Sequence, residues 1–87
     1  MITTRKKNGY RYFYVGKEYI AFYTIREERA DIRLSKLHFD TDWDGIIVTK
    51  KDFFEHDVKG FLEENIPLKE LAIKVFECLK KDFGLRK

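Results

Sequence analysis

The sequence predicts an α+β fold: a four-stranded antiparallel sheet followed by two C-terminal helices packed on one face, in a single domain over residues 1–87. Three observations carry this expectation. Tyrosine, phenylalanine, isoleucine and valine alternate at period two from about residue 10 to 49. From about residue 50 to 83 the apolar residues recur instead at helical spacing. The chain of 87 residues, with one proline and five glycines, is too short for two cores and too poor in breakers to be a flexible polymer.

The first strand is Tyr10 to Val15, and Gly16-Lys17 is a two-residue hairpin turn with glycine where a type II′ turn needs it. Glu18 to Ile25 returns as the second strand. Ile32 to Phe39 is the third, and its apolar phase changes between Leu34 and Leu37, which calls for a bulge near Ser35-Lys36. Ile46 to Thr49 is a short fourth strand. Thr49 and Asp52 have capping-box spacing, and Phe54, Val58, Phe61 and Leu62 form one face of a helix ending near Asn65. Pro67 suits the first turn of a second helix, whose stripe is Leu68, Leu71, Ala72, Val75, Phe76, Leu79 and Phe83, with Gly84 as its stop. The expected core is Phe13, Ile20, Phe22, Phe54, Val58, Phe61, Leu71, Val75, Phe76 and Leu79.

A two-residue turn fixes the hairpin register on paper. Tyr14 should face Tyr19, Phe13 should face Ile20, Tyr12 should face Ala21, and Tyr10 should face Tyr23. Opposed residues share a face, so Tyr10, Tyr12, Tyr14, Tyr19 and Tyr23, all five tyrosines, fall together and point away from the helices. Phe13, Val15, Ile20 and Phe22 take the other face, against the helices. The flanking cations Arg5, Lys6, Lys7 and Lys17 complete a basic, aromatic surface.

Charge is segregated along the chain. Residues 1–17 hold five bases and no acid, and residues 40–65 hold eight acids against three bases, within an overall net charge of +3. That separation predicts one basic and one acidic contact surface. Rings stack on nucleic-acid bases while cations attract phosphates, and tyrosine is equally at home in protein–protein hot spots.

The stretch from Gly16 through Glu18, Tyr19, Ile20, Ala21, Phe22 and Tyr23 to Ile25, Arg26 and Glu27, followed by Gly45-Ile46-Ile47-Val48-Thr49 and a helix, resembles a known pattern. It is similar to the single-stranded-DNA-binding coactivators of the positive-cofactor-four type, a whirly-like arrangement, over residues 10–65. The resemblance implies four curved antiparallel strands, a following helix, frequent dimerisation, and unpaired nucleic acid bound by basic and aromatic sheet residues. It adds Arg26 to the candidate contacts. The second helix, the long segment between Arg26 and Gly45, and the acidic loop before the fourth strand depart from that pattern.

That loop, Asp40-Thr41-Asp42-Trp43-Asp44-Gly45, has the alternating carboxylates of a calcium loop, but Lys51 stands where the closing bidentate glutamate belongs. The expectation is no metal site. His38 and His56 lie near acids without a nucleophile or a phosphate-cradling loop beside them, so no enzyme is expected. The lone Cys78 excludes an internal disulfide and fits as a small packed hydrophobe. With no apolar run near 18 residues and a polar N-terminus, the expectation is a small cytoplasmic chain without cofactor or membrane contact. The function expected is therefore a non-enzymatic module that contacts single-stranded nucleic acid, with a homodimer as one assembly. The alternative is a protein-binding adaptor or phage-type inhibitor using the tyrosine face and acidic loop.

Overall fold

The computed structural model describes residues 1–25, 28–35, 38, 45–49, 55–65 and 68–84. It is α+β, as expected, with helices after strands, but among the described residues the sheet has five strands rather than four. These are β1 (Ile2–Lys7), β2 (Tyr10–Val15), β3 (Glu18–Ile25), β4 (Arg29–Leu34) and β5 (Ile46–Thr49), followed by α1 (Glu55–Asn65) and α2 (Lys69–Phe83). Each strand pairs antiparallel with its neighbour in sequence, giving a five-stranded meander with β1 and β5 at the two edges.

The additional strand is β1. Ile-Thr-Thr-Arg-Lys-Lys carries one apolar side chain, so it has little alternation to announce it, as befits an edge strand rich in cations. Its turn is what places it. Asn8 at φ 52° and Gly9 at φ 80° make a two-residue loop with both central residues in the left-handed region, the geometry that matches strand twist. Lys7 pairs with Tyr10 across that turn, and Ile2 pairs with Val15 at the far end.

The second hairpin begins in the expected register, with Val15 opposite Glu18 and Tyr14 opposite Tyr19. Beyond that point it slips. Phe13 pairs with Ala21, leaving Ile20 as an extra residue in β3. This is a β-bulge, and both Ile20 and Ala21 turn into the core at 1% exposure. One inserted residue in a period-two strand exchanges the faces of everything after it. Tyr12 therefore opposes Phe22 rather than Ala21, and Tyr10 opposes Thr24 rather than Tyr23. Tyr23 is buried on the helix side at 0% exposure, whereas Phe22 joins the opposite face; both placements correct the simple register.

The third predicted strand also shifts. β4 ends at Leu34, and Ala30, Ile32 and Leu34 point one way in a single phase. Ser35 follows, buried, and its N–H donates to the Ile20 carbonyl at 2.9 Å, so the bulge is tied to the neighbouring strand. Lys36 and Phe39 lie outside the described residues, as does the Asp52 half of the capping box; Thr49 is the last residue of β5.

Both helices cover the face that carries Phe13, Ile20, Tyr23, Ile32 and Val48. α1 contributes Val58 and Leu62, with Phe61 half-buried against the cluster. α2 contributes Leu71, Ala72, Val75, Phe76, Leu79 and Phe83, the stripe predicted from periodicity apart from exposed Leu68. Phe54 and Pro67 lie outside the described residues. Gly84 ends α2 at φ 67°, its N–H donating to the Lys80 and Lys81 carbonyls. Lys80 reaches Glu55 at 2.9 Å and ties the two helices together. Among the described residues, no helix is long and apolar enough to cross a membrane.

Gly45, before β5, sits at φ 95° with the Ile32 carbonyl oxygen 2.8 Å from where a Cβ would stand. A side chain here meets both a disallowed backbone angle and a backbone atom that cannot yield. Gly45→Ala is expected to destabilise by more than about 1 kcal/mol, read as a lowered urea midpoint at unchanged slope.

Candidate functional site

The face away from the helices is built by alternation. β1 supplies Thr3, Arg5 and Lys7; β2 supplies Tyr10, Tyr12 and Tyr14; β3 supplies Tyr19 and Phe22; β4 supplies Arg29, Asp31 and Arg33; β5 supplies Ile47. Five rings meet in its centre. Tyr12 is the hub, with centroids 6.0 Å from Tyr10, 6.2 Å from Tyr14, 6.1 Å from Tyr19 and 5.7 Å from Phe22. Tyr19 and Phe22 meet edge to face at 5.8 Å. These are the offset and T-shaped distances at which aromatic quadrupoles attract. Packed sideways against one another, the rings hold a fixed surface, and four of the five are half-buried while Tyr19 is 42% exposed.

The bulge makes this cluster. Were Ile20 instead paired in regular register, Phe22 would turn inward and Tyr23 outward, and the hub would lose its shortest ring contact. The inserted residue places an apolar ring on the outer face and a hydroxylated one in the core, against the usual preference. What compensates is a partner for the hydroxyl.

Cations border the rings on both sides. On the β1 side, Arg5 and Lys7 are exposed, and the Arg5 guanidinium stands 6.0 Å from the Tyr14 ring centroid, within cation–π reach. Lys17, in the β2–β3 turn, joins them. On the β4 side are Arg29 and Arg33. Arg33 engages Asp31, the one acid this face carries among the described strand residues, with Nε and Nη2 each 3.1 Å from a carboxylate oxygen. The face is therefore aromatic in the middle and positive at its rims, an arrangement suited to a ligand that is flat and anionic by turns.

Of the residues expected at this surface, Tyr10, Tyr12, Tyr14, Tyr19, Arg5, Lys7 and Lys17 come together there. Tyr23 does not. Lys6 does not either: it pairs with Arg11 on the helix side of β1 and stands 4.0 Å from Asp82. Arg26 and the acidic loop Asp40, Asp42 and Asp44 lie outside the described residues. Phe22, Arg29 and Arg33 belong to the face but were absent from the expectation. For the two arginines the signal was present, since they alternate with Ala30, Ile32 and Leu34. Among the described residues no cluster of histidine, cysteine and carboxylate side chains could hold a metal ion.

The strongest electrostatics lie on the other face, in a structural cluster. Asp82 of α2, its side chain 2% exposed, accepts from Arg11 Nε at 2.9 Å, from Arg11 Nη2 at 2.5 Å and from the Tyr23 hydroxyl at 2.7 Å. Arg11 Nη1 also donates to Thr4 Oγ1 at 3.4 Å. Burial pushes the Asp82 carboxyl up, but the hydrogen bonds from Arg11 and Tyr23 outweigh it and hold the group below the ordinary carboxylate range. The same contact raises Arg11. Burial, then the bond to Asp82, pushes the Tyr23 hydroxyl well above its usual value. Burial likewise pushes the Cys78 thiol up, which suits an inert packed residue rather than a nucleophile.

Sheet and site together define a class by architecture: a meander with one face sealed by helices and the other an aromatic, cationic platform. Compared with known protein families, with curated proteins and with solved structures, the chain matches none.

Proposed function

We propose that this protein is a small non-enzymatic binding module of the cytoplasm that holds single-stranded nucleic acid on its outer sheet face. The observation that carries the reading is the five-ring cluster centred on Tyr12, bordered by Arg5, Lys7 and Lys17 on one side and by Arg29 and Arg33 on the other. A single strand presents the two chemistries in alternation, bases with π-faces and phosphates with charge. A duplex hides its base faces in the stack, so aromatic stacking favours the unpaired form. The likeness of residues 10–65 to the positive-cofactor-four type supports the same reading.

Anisotropy of a labelled oligonucleotide, titrated with protein at several salt concentrations, tests it. Affinity should fall steeply with salt, and Tyr12→Ala combined with Tyr19→Ala should weaken binding at every salt concentration. Two rings at about 1 kcal/mol or more each correspond to a loss of at least about 30-fold. Absence of binding even at low salt would overturn the proposal and leave a protein partner as the occupant of the face.

A further inference from the structure

At one end of the platform the surface folds into a groove of about 400 Å³, lined by Thr3, Thr4, Arg5, Tyr14, Gly16 and Lys17. We propose that this groove is a phosphate-binding subsite, the point where an anionic group seats beside the first stacked ring. The proposal rests on the nucleic-acid reading for the source of the phosphate, and on the groove itself for its chemistry.

Four features converge there. Among the described residues the lining holds two cations and no acid; the neighbouring Glu18 is directed to His38, with Oε1 and Nε2 3.4 Å apart. Thr3, exposed on the outer face opposite Tyr14, brings a hydroxyl donor to the lining, whereas the Thr4 hydroxyl is turned to the helix side and accepts from Arg11, so Thr4 meets the groove with its backbone. β1 is an edge strand, and Lys7 and Tyr10 close a two-residue turn as a hydrogen-bonded pair. Alternation from that pair aims the Thr4 N–H away from β2, toward the open edge. Gly16, at φ 66°, has no atom within 4 Å of where a Cβ would stand, so the groove is open at the turn. Backbone and hydroxyl donors backed by two cations are what a phosphate oxygen needs.

Tyr14 joins the groove to the platform. It lines the groove, lies under the Arg5 guanidinium at 6.0 Å and touches the Tyr12 hub at 6.2 Å. A phosphate in the groove would therefore leave its base at the Tyr14 end of the ring cluster. By contrast, Arg33 on the opposite rim is already engaged with Asp31.

The double variant Arg5→Gln, Lys17→Gln tests the subsite, with Lys69→Gln on α2 as control. For wild type the logarithm of oligonucleotide affinity should fall linearly with the logarithm of salt. The double variant should shallow that slope by about 0.7, the value for one single-strand phosphate contact, while the control leaves it unchanged. An unchanged slope in a double variant that still melts like wild type would overturn the subsite while leaving the platform reading intact. Should wild type bind no oligonucleotide, a titration with inorganic phosphate followed by amide NMR decides separately. Saturable shifts confined to Thr3, Thr4, Arg5 and Lys17 would keep the groove as a site for a phosphate of another source. Their absence would overturn it.

Discussion

Asp82→Ala is expected to cost about 3–5 kcal/mol of stability, a large share of what a domain this small holds in reserve. The magnitude follows from what is left behind. Arg11, with its side chain 12% exposed, would keep its charge without its carboxylate, and the buried Tyr23 hydroxyl would lose its acceptor. Substituting both ends, Arg11→Met with Asp82→Leu, should recover much of the loss, because an apolar pair has no charge to strand. Urea denaturation of the single and double variants measures both. If Asp82→Ala costs under about 1 kcal/mol, the cluster is not the clamp described. The same groups set the pH profile. Asp82 is depressed, so its contribution is present above the ordinary carboxylate pKa of about 3.9 and is lost as pH falls through its lower folded value. Tyr23 is raised, so its contribution is complete below about 10 and is lost as pH rises beyond that; Cys78, also raised, acts in the same direction. The melting temperature should fall at both ends, with Asp82→Ala flattening the acid limb and Tyr23→Phe the alkaline one.

The second large effect contrasts neighbours on β2. Phe13→Ala is expected to cost about 3–5 kcal/mol, since its ring is fully buried against Tyr23 and the helices and its removal leaves a cavity in a tightly packed core. Tyr12, one residue earlier, faces the other way among the outer rings. Its truncation should lower stability by only about 1 kcal/mol, in the range of surface aromatic pairs, while carrying a larger penalty in ligand affinity. Thermal melts and oligonucleotide titration on the two variants should thus separate: one loses the fold, the other the platform. Equal stability losses would mean that the two faces of the sheet are not divided as described.

How much of this was legible in the chain depends on the scale of the signal. Periodicity located β2, β3 and β5 by residue and nearly the whole buried stripe of α2, because each rests on several side chains repeating in phase. β1 has no such repeat, yet Asn8-Gly9 between Lys7 and Tyr10 is a strong hairpin signal, and reading it would have supplied the missing strand. The bulge at Ile20 had no local mark. Tyr-Ile-Ala-Phe-Tyr alternates acceptably in either phase, and what selects the observed one is tertiary: Asp82, 59 positions after Tyr23, offers its hydroxyl a buried acceptor. Hydrophobicity alone prefers phenylalanine inside, so the wrong ring was assigned to the core. The platform survived that error because the replacement for Tyr23 was another ring.

The meander also orders events in time. Every strand pairs with the one made just before it, so the sheet can zip from short loops as the chain grows, a topology of low contact order that favours fast local assembly. The Arg11–Asp82 contact is the opposite case, joining positions 71 residues apart. During synthesis, then, Phe13, Ile20 and Ile32 form a ready sheet whose apolar side stays wet until α2 has been made. That interval is when the nascent protein is most prone to stick to its neighbours. The three successive cations on β1, Arg5, Lys6 and Lys7, guard the open edge through it, discouraging strand-to-strand association before the helices arrive.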